Sequence, residues 1–183
     1  CKQIDGEDVL KNVSFRVERG DKIAFISDKE TSVTALFEIL MENDKADAGT
    51  FKWGVSTSTS YFPKDNSEYF NDCNDSILDW LEQYNVGSDH TETYLRGFLG
   101  RMLFSGEDVF KPVKVLSGGE KVRCMLSKMM MGGANVLVLD QPTNHLDLES
   151  ITAVNKGLTN FPGIVLFTSH DHEFISTVAN RII

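Results

Sequence analysis

Leu116-Ser117-Gly118-Gly119-Glu120, followed one helix later by Val136-Leu137-Val138-Leu139-Asp140-Gln141-Pro142-Thr143-Asn144-His145-Leu146-Asp147, is the stretch that decides how this chain folds. Gly118 and Gly119 open a helical run through Met125, Leu126 and Met129 to Met131, and Gly132-Gly133 stops it. Ala134 to Leu139 is then apolar but for Asn135, as in a central strand covered on both faces, and Ile164-Val165-Leu166-Phe167 repeats that pattern after a helical Leu148 to Leu158. A strand, helix, strand alternation of this kind predicts a parallel sheet with helices packed on it.

The same logic extends toward the start of the chain. Lys22 to Ile26 reads as a short buried strand, followed by a polar loop and a helix over Thr34 to Met41 with Leu36, Phe37, Ile39 and Leu40 at helical spacing. Val9 to Val17 alternates as a half-buried strand should. Phe51 to Val55 follows a turn and reads as a strand, and Thr59 to Phe62 as another, ended by Pro63. From Ser76 the spacing becomes helical, with Ile77, Leu78, Trp80 and Leu81 in one stretch and Tyr94, Leu95, Phe98, Leu99, Met102 and Leu103 in another. The expectation is one domain over 1–183, with 1–70 and 134–183 as an α/β core and 71–133 as a helical subdomain.

With 183 residues, 41% hydrophobic, the chain is long enough to bury a sizeable core. Its 18 Lys+Arg against 27 Asp+Glu leave a formal net charge of -9, which argues against coating nucleic acid by diffuse positive charge. No run approaches the roughly 18 to 20 apolar residues of a membrane span. Cys1, Cys73 and Cys124 lack paired metal spacing and read as packing residues of a reducing compartment. The aromatics Phe62, Tyr69, Phe70, Trp80, Phe98 and Phe104 read as packing, and Asp72, Asp75 and Asp79 as a solvated face. The chain reads as a piece of a longer protein, since it begins inside a first strand and stops at Arg181-Ile182-Ile183.

Ser117, Gly118 and Gly119 place a hydroxyl and uncovered N–H groups at a helix N-terminus, which suits a phosphate; an ordinary Ser cap with a Gly turn is the alternative for that tripeptide alone. Asp140 follows four apolar strand residues and falls at the carboxyl end of its strand, where it is a candidate Mg²⁺ ligand or simply a cap for the next turn. His170 ends the next apolar strand and is a candidate partner for a γ-phosphate or its attacking water, while His172 reads as structural.

In this order the motifs resemble those of ATP-binding cassette (ABC) ATPases. Leu116 to Glu120 is similar to the signature, Val136 to Asp140 to Walker B, Asn144 to Asp147 to the D-loop, and His170 to the switch histidine. The run Leu-Asp-x-Pro-Thr-Asn-His-Leu-Asp-Leu-Glu-Ser, with Ser169 to Phe174 and Ala179 to Ile182, resembles the ABC-F branch. Its C-terminal nucleotide-binding domain fits best, since no long helical arm lies between Tyr61 and Ser117. The resemblance implies a cytoplasmic protein without membrane spans and with two such domains per polypeptide. It further implies ATP and Mg²⁺ as cofactors, and for many members action at the ribosome.

The resemblance also shows what is missing. Ser27 to Thr34 takes the place of Walker A, with Ser27, Glu30 and Ser32 at the glycine positions and Val33 at the lysine position; Thr34 alone is kept, as a candidate ATP and metal ligand. Lys29 is a candidate substitute cation from the wrong turn of the loop. Lys64 stands at the Q-loop glutamine, Gln141 at the catalytic carboxylate, and no aromatic lies near Ile4 where adenine would stack. An amide can orient water but cannot accept its proton. Gln141 alone is open to explanation as an engineered trap; Val33 is not.

The division of labour implied by the family's head-to-tail pairing is that Ser117, Gly118 and Gly119 complete an ATP site on a second ABC domain of the same polypeptide, while this domain's own loop is weak or non-hydrolytic. A scaffold pseudo-ATPase and the ATPase subunit of a membrane transporter are the alternatives.

Overall fold

The computed structural model describes residues 1–71, 73–144 and 146–183. It opens on a hairpin of β1 (Lys2–Ile4) and β2 (Glu7–Leu10), antiparallel, joined by Asp5 and Gly6, both at positive φ as a tight two-residue hairpin turn requires. The remaining strands are β3 (Lys22–Ala24), β4 (Thr59–Phe62), β5 (Val136–Asp140), β6 (Ile164–Thr168) and β7 (Arg181–Ile182). They form a parallel sheet in the order β4-β5-β6-β3-β7. The architecture is α/β, with a parallel core sheet, a small antiparallel β region and a helical part, as read from the sequence.

The strands' alternation sends their side chains to two cores. On one face Ile23, Phe25, Val136, Val138 and Leu166 pack with Val33, Phe37 and Leu40 of α1 (Glu30–Leu40). On the other, Leu137, Leu139, Val165 and Phe167 share a cluster with α4 (Gly118–Met131), α5 (Leu148–Asn160) and α6 (His172–Val178). That second cluster runs on into α2 (Ile77–Glu82) and α3 (Glu92–Arg101), where Ile77, Trp80, Leu81, Leu95 and Leu99 are buried. Trp80 is stacked on Phe70 at 5.2 Å between ring centroids, and its Nε1 donates to the Tyr69 carbonyl at 3.0 Å.

Helix starts are made by side chains that accept a backbone N–H: Ser76, Thr91, Ser117, Asp147 and Asp171 cap α2 to α6. At the other end of α5, the Lys22 ammonium donates to the carbonyls of Leu158, at 2.8 Å, and Thr159. Two asparagines tie loops to the amino ends of strands. Asn135 accepts from Ser58 N–H and donates to the Ser56 carbonyl, and Asn180 accepts from Lys22 N–H and donates to that of Gly20.

Three expectations are corrected. The strand read over Val9 to Val17 stops at Leu10, because Asn12 adopts φ 52 and breaks the extended run. Phe51 to Val55 forms no strand; Trp53 instead donates through Nε1 to the Leu40 carbonyl at 3.0 Å and so covers the C-terminal end of α1. α3 ends at Arg101, leaving Leu103 in the left-handed region and exposed. Cys124 is buried as read, but Cys1 is exposed. Asp75 and Asp79 take hydrogen bonds from Gln83 and Ser76; Asp72 lies outside the described residues.

Leu139 is wholly buried one residue before Asp140, whereas Leu148 is 84% exposed at the start of α5. Leu139→Ala should therefore cost about 2 to 5 kcal/mol, and Leu148→Ala no more than ~0.5 kcal/mol, in denaturant unfolding of the two variants.

Candidate functional site

β4, β5 and β6 lie side by side and end on the same edge of the sheet, so the residues that follow them converge. Lys64 comes from beyond β4, Asp140 and Gln141 from the end of β5, and His170 from beyond β6. α1 brings Glu30 and Thr34 over the same edge. This gathers Thr34, Lys64, Asp140, Gln141 and His170 in one place. Ser117, Gly118 and Gly119 stand apart, at the start of α4.

Thr34 Oγ1 donates to Asp140 Oδ2 at 2.7 Å, joining the loop helix to the central strand. Asp140 is 1% exposed, and its Oδ1 has no hydrogen-bond partner among the protein atoms. Burial holds this carboxyl above its ordinary range against the opposing pull of Thr34 and Lys64. A hydroxyl beside a carboxylate with one uncommitted buried oxygen is a donor set that suits a hard divalent cation.

Gln141 is buried with φ 52, in the left-handed region that a side-chain-bearing residue seldom adopts. Its Oε1 accepts from the Asn144 side-chain amide, which leaves Nε2 facing His170 Nε2 at 3.3 Å. His170 Nε2 also lies 2.8 Å from Glu30 Oε1. With that ring nitrogen donating to Glu30, it cannot also accept from the Gln141 amide. Thr143 and Ser169 share a buried hydroxyl contact of 2.7 Å that fixes the two loops together. His145, within the Asn144 to Asp147 run, lies outside the described residues.

Glu30 is the residue whose place the sequence reading missed. It was read only as standing at a glycine position of the loop, but its carboxylate is a hub: Oε2 meets Lys64 Nζ at 2.6 Å and Oε1 meets His170. Lys64, then His170, then Gln141 hold its pKa down at about 2, and Glu30 in turn raises that of Lys64. The opposite charges of Glu30 and Lys64 were the available signal; their 34-residue separation hid it. Lys29, the candidate substitute cation, turns away and pairs with Glu7 at 2.7 Å. Val33 points inward and is buried in the apolar cluster with Phe25, Phe37 and Val138.

A carboxylate stands within the seat, the side chain at the lysine position belongs to the core, and helix α1 already begins at Glu30. The hydroxyl of Thr34 and the carboxylate of Asp140 match Mg²⁺.

At the signature, Ser117 Oγ accepts from Glu120 N–H at 3.3 Å and the Glu120 carboxylate accepts from Ser117 N–H at 2.9 Å, a complete capping box. Ser117 and Gly118 are exposed, whereas Gly119 is buried. A Cβ on Gly119 would come within 2.6 Å of Ser150 Oγ, so close packing of α4 on α5 already demands glycine there.

The family profile described as ABC transporter matches residues 10–144, about three quarters of the chain. The chain belongs to the ABC transporter family. Domains of this family bind ATP with Mg²⁺. The uncharacterized ABC transporter ATP-binding protein YkpA of Bacillus subtilis is 64% identical over 182 residues, all of this chain and 34% of that protein. The energy-dependent translational throttle protein EttA of Escherichia coli is 31% identical over 180 residues, 96% of this chain and 32% of EttA. Such relatives bear out the resemblance to an ABC-F nucleotide-binding domain. The chain thus spans about a third of the length of the curated relatives it matches. Among solved structures, the archaeal ribosome recycling factor aABCE1, in complex with the ribosomal stalk protein aP1, shares the fold. Its TM-score is 0.75 at 20% identity, covering 91% of this chain and 32% of that one. No helix among the described residues is long and apolar enough to cross a membrane.

Because the folded chain favours the protonated form of Asp140, its ionised form costs stability as pH rises above the unfolded value of 3.8, and the cost is absent below it. Asp140→Asn should raise the melting temperature at about pH 7 and raise it less at about pH 3. Thermal melts of both proteins at the two pH values check this, and a variant that loses stability at neutral pH contradicts it.

Proposed function

We propose that this chain is the weakly binding half of a two-domain ABC-F ATPase acting in translation at the ribosome. In this reading 1–183 is one cassette domain, with 71–133 its helical part. Ser117, Gly118 and Gly119 complete an ATP site on a second ABC domain of the same polypeptide, packed head to tail. The domain's own loop binds ATP weakly or not at all. Gln141 and His170 occupy the catalytic positions, Thr34 and Asp140 those of the metal, and Lys64 that of the Q-loop.

One contrast carries this reading: the loop's phosphate seat is filled by Glu30 and emptied of its lysine, while the signature turn is intact and Ser117 and Gly118 are exposed. The translational role is supported by the printed names of EttA, a translational throttle protein, and of aABCE1, a ribosome recycling factor. A pure scaffold is the second reading. It is favoured by the capping box, which commits both the Ser117 hydroxyl and the Ser117 N–H to Glu120.

In the full-length parent, Ser117→Arg should abolish most ATPase activity by placing a bulky side chain at the helix N-terminus that faces the partner's nucleotide. Losing one preorganised donor costs ~2.7 to 4 kcal/mol, a hundredfold or more in rate. Asp28→Ala, on the exposed part of this domain's own loop, should change turnover little. Steady-state hydrolysis with thermal melts decides the matter, and wild-type turnover by folded Ser117→Arg protein replaces the ATPase reading with the scaffold. For this chain alone, calorimetry should place Mg-ATP binding near the millimolar range, and Gln141→Glu should leave hydrolysis at background because the seat for phosphate is still filled.

A further inference from the structure

Glu30 receives side chains from beyond the ends of two parallel strands, Lys64 at 2.6 Å and His170 at 2.8 Å, and the Gln141 amide lies 3.3 Å from the same His170 nitrogen. An ammonium and an imidazole converging on one acidic group form a contact set for an anion. Here the chain supplies the anion itself. The carboxylate also sits in the first turn of α1, where the helix dipole favours negative charge, and α1 has no side-chain cap to compete for that end.

We propose that Glu30 is a built-in substitute for a terminal phosphate, holding Lys64 and His170 assembled when no nucleotide is bound and barring free anions from that seat. The proposal rests on the reading of the loop as weakly binding and says what enforces it. Two neighbouring features isolate the contact. Lys29 is held by Glu7, so no second cation of the loop shares Glu30, and Val33 is packed in the core and leaves room for none. Asp140, with its own oxygen uncommitted, stays close enough to Lys64 to affect its charge without bonding to it.

The seat is open to solvent, with Glu30, Lys64 and His170 side chains 43%, 51% and 61% exposed. An ion pair so exposed is worth little against water, so removing the carboxylate leaves a folded chain with an uncompensated ammonium and imidazole facing outward. A soluble anion then has the place to itself.

The test is calorimetric titration of inorganic phosphate, then of Mg-ATP, into the wild-type chain, Glu30→Ala and Glu30→Gln at low ionic strength, with thermal melts to confirm folding. Glu30→Ala should bind phosphate at least about tenfold more tightly than wild type, and Glu30→Gln by a smaller factor, since the amide keeps an acceptor but no charge. Adding Lys64→Ala to Glu30→Ala should cancel the gain, which locates the phosphate at the vacated seat. Folded Glu30 variants that bind phosphate no better than a weakly binding wild type overturn this proposal and leave the weak-binding reading standing. A gain that survives Lys64→Ala overturns it too. Wild-type binding of Mg-ATP near 1 μM overturns the reading and the proposal together.

Discussion

Everything at the sheet's carboxyl edge depends on β5 being paired on both sides from Val136, with Thr59 and Ile164, to Leu139, with Phe62 and Phe167. A strand so placed must be apolar on both faces, because Leu137 and Leu139 enter one core and Val136 and Val138 the other. The apolar run can end only where the strand leaves the sheet. Asp140 and Gln141 mark that point, so the polar chemistry is set at an edge whose position is fixed by burial. The Thr34 to Asp140 hydrogen bond then registers α1 against the strand, and the Thr143 to Ser169 contact registers the loop after β5 against the one after β6.

This hierarchy explains what was legible in advance. Buried strands and amphipathic helices announce themselves by period, so β3, β5, β6, α4 and α5 were readable from local residues. Where the backbone leaves the allowed extended region, period is silent: nothing in Lys11-Asn12 shows that Asn12 will take φ 52 and end β2. Trp53 deceived in another way. Its apolar bulk suited a strand, but its indole N–H found the open carbonyl at the end of α1. The positions of Asp140, Gln141 and His170 were readable because each closes or follows a regular element, and that of Thr34 only from the family resemblance, since it lies inside α1. The partners of Glu30 were not, since an ion pair between residues far apart in the chain leaves no periodic trace.

Two helix starts, that of α1 at this edge and that of α4 apart from it, show how the same physics is used in opposite ways. At α4, a neutral Ser caps the helix, and the acidic Glu120 is drawn back onto the Ser117 N–H, leaving Gly118 bare and exposed. At α1, no side chain caps the helix and the acidic residue itself faces outward, meeting Lys64 and His170. Both arrangements answer unsatisfied donors and the positive end of a dipole.

The replacements in the Ser27 to Thr34 loop act together. A phosphate cradle needs glycines so that successive N–H groups can point at one centre, and a flexible cation to follow the charge. With side chains at those positions the segment is free to become ordinary helix, and α1 starts at Glu30, four residues ahead of Thr34. Once it does, position 33 falls on the buried face of that helix, beside Phe25, Phe37 and Val138, where an ammonium would be desolvated and a valine is not. Position 30 falls in the exposed first turn, where an acidic residue is favoured by the dipole and by the cations already waiting at the sheet's edge. The side chains at 27, 30 and 32, the inward valine and the outward glutamate thus fit one arrangement, a helix shaped by its own core.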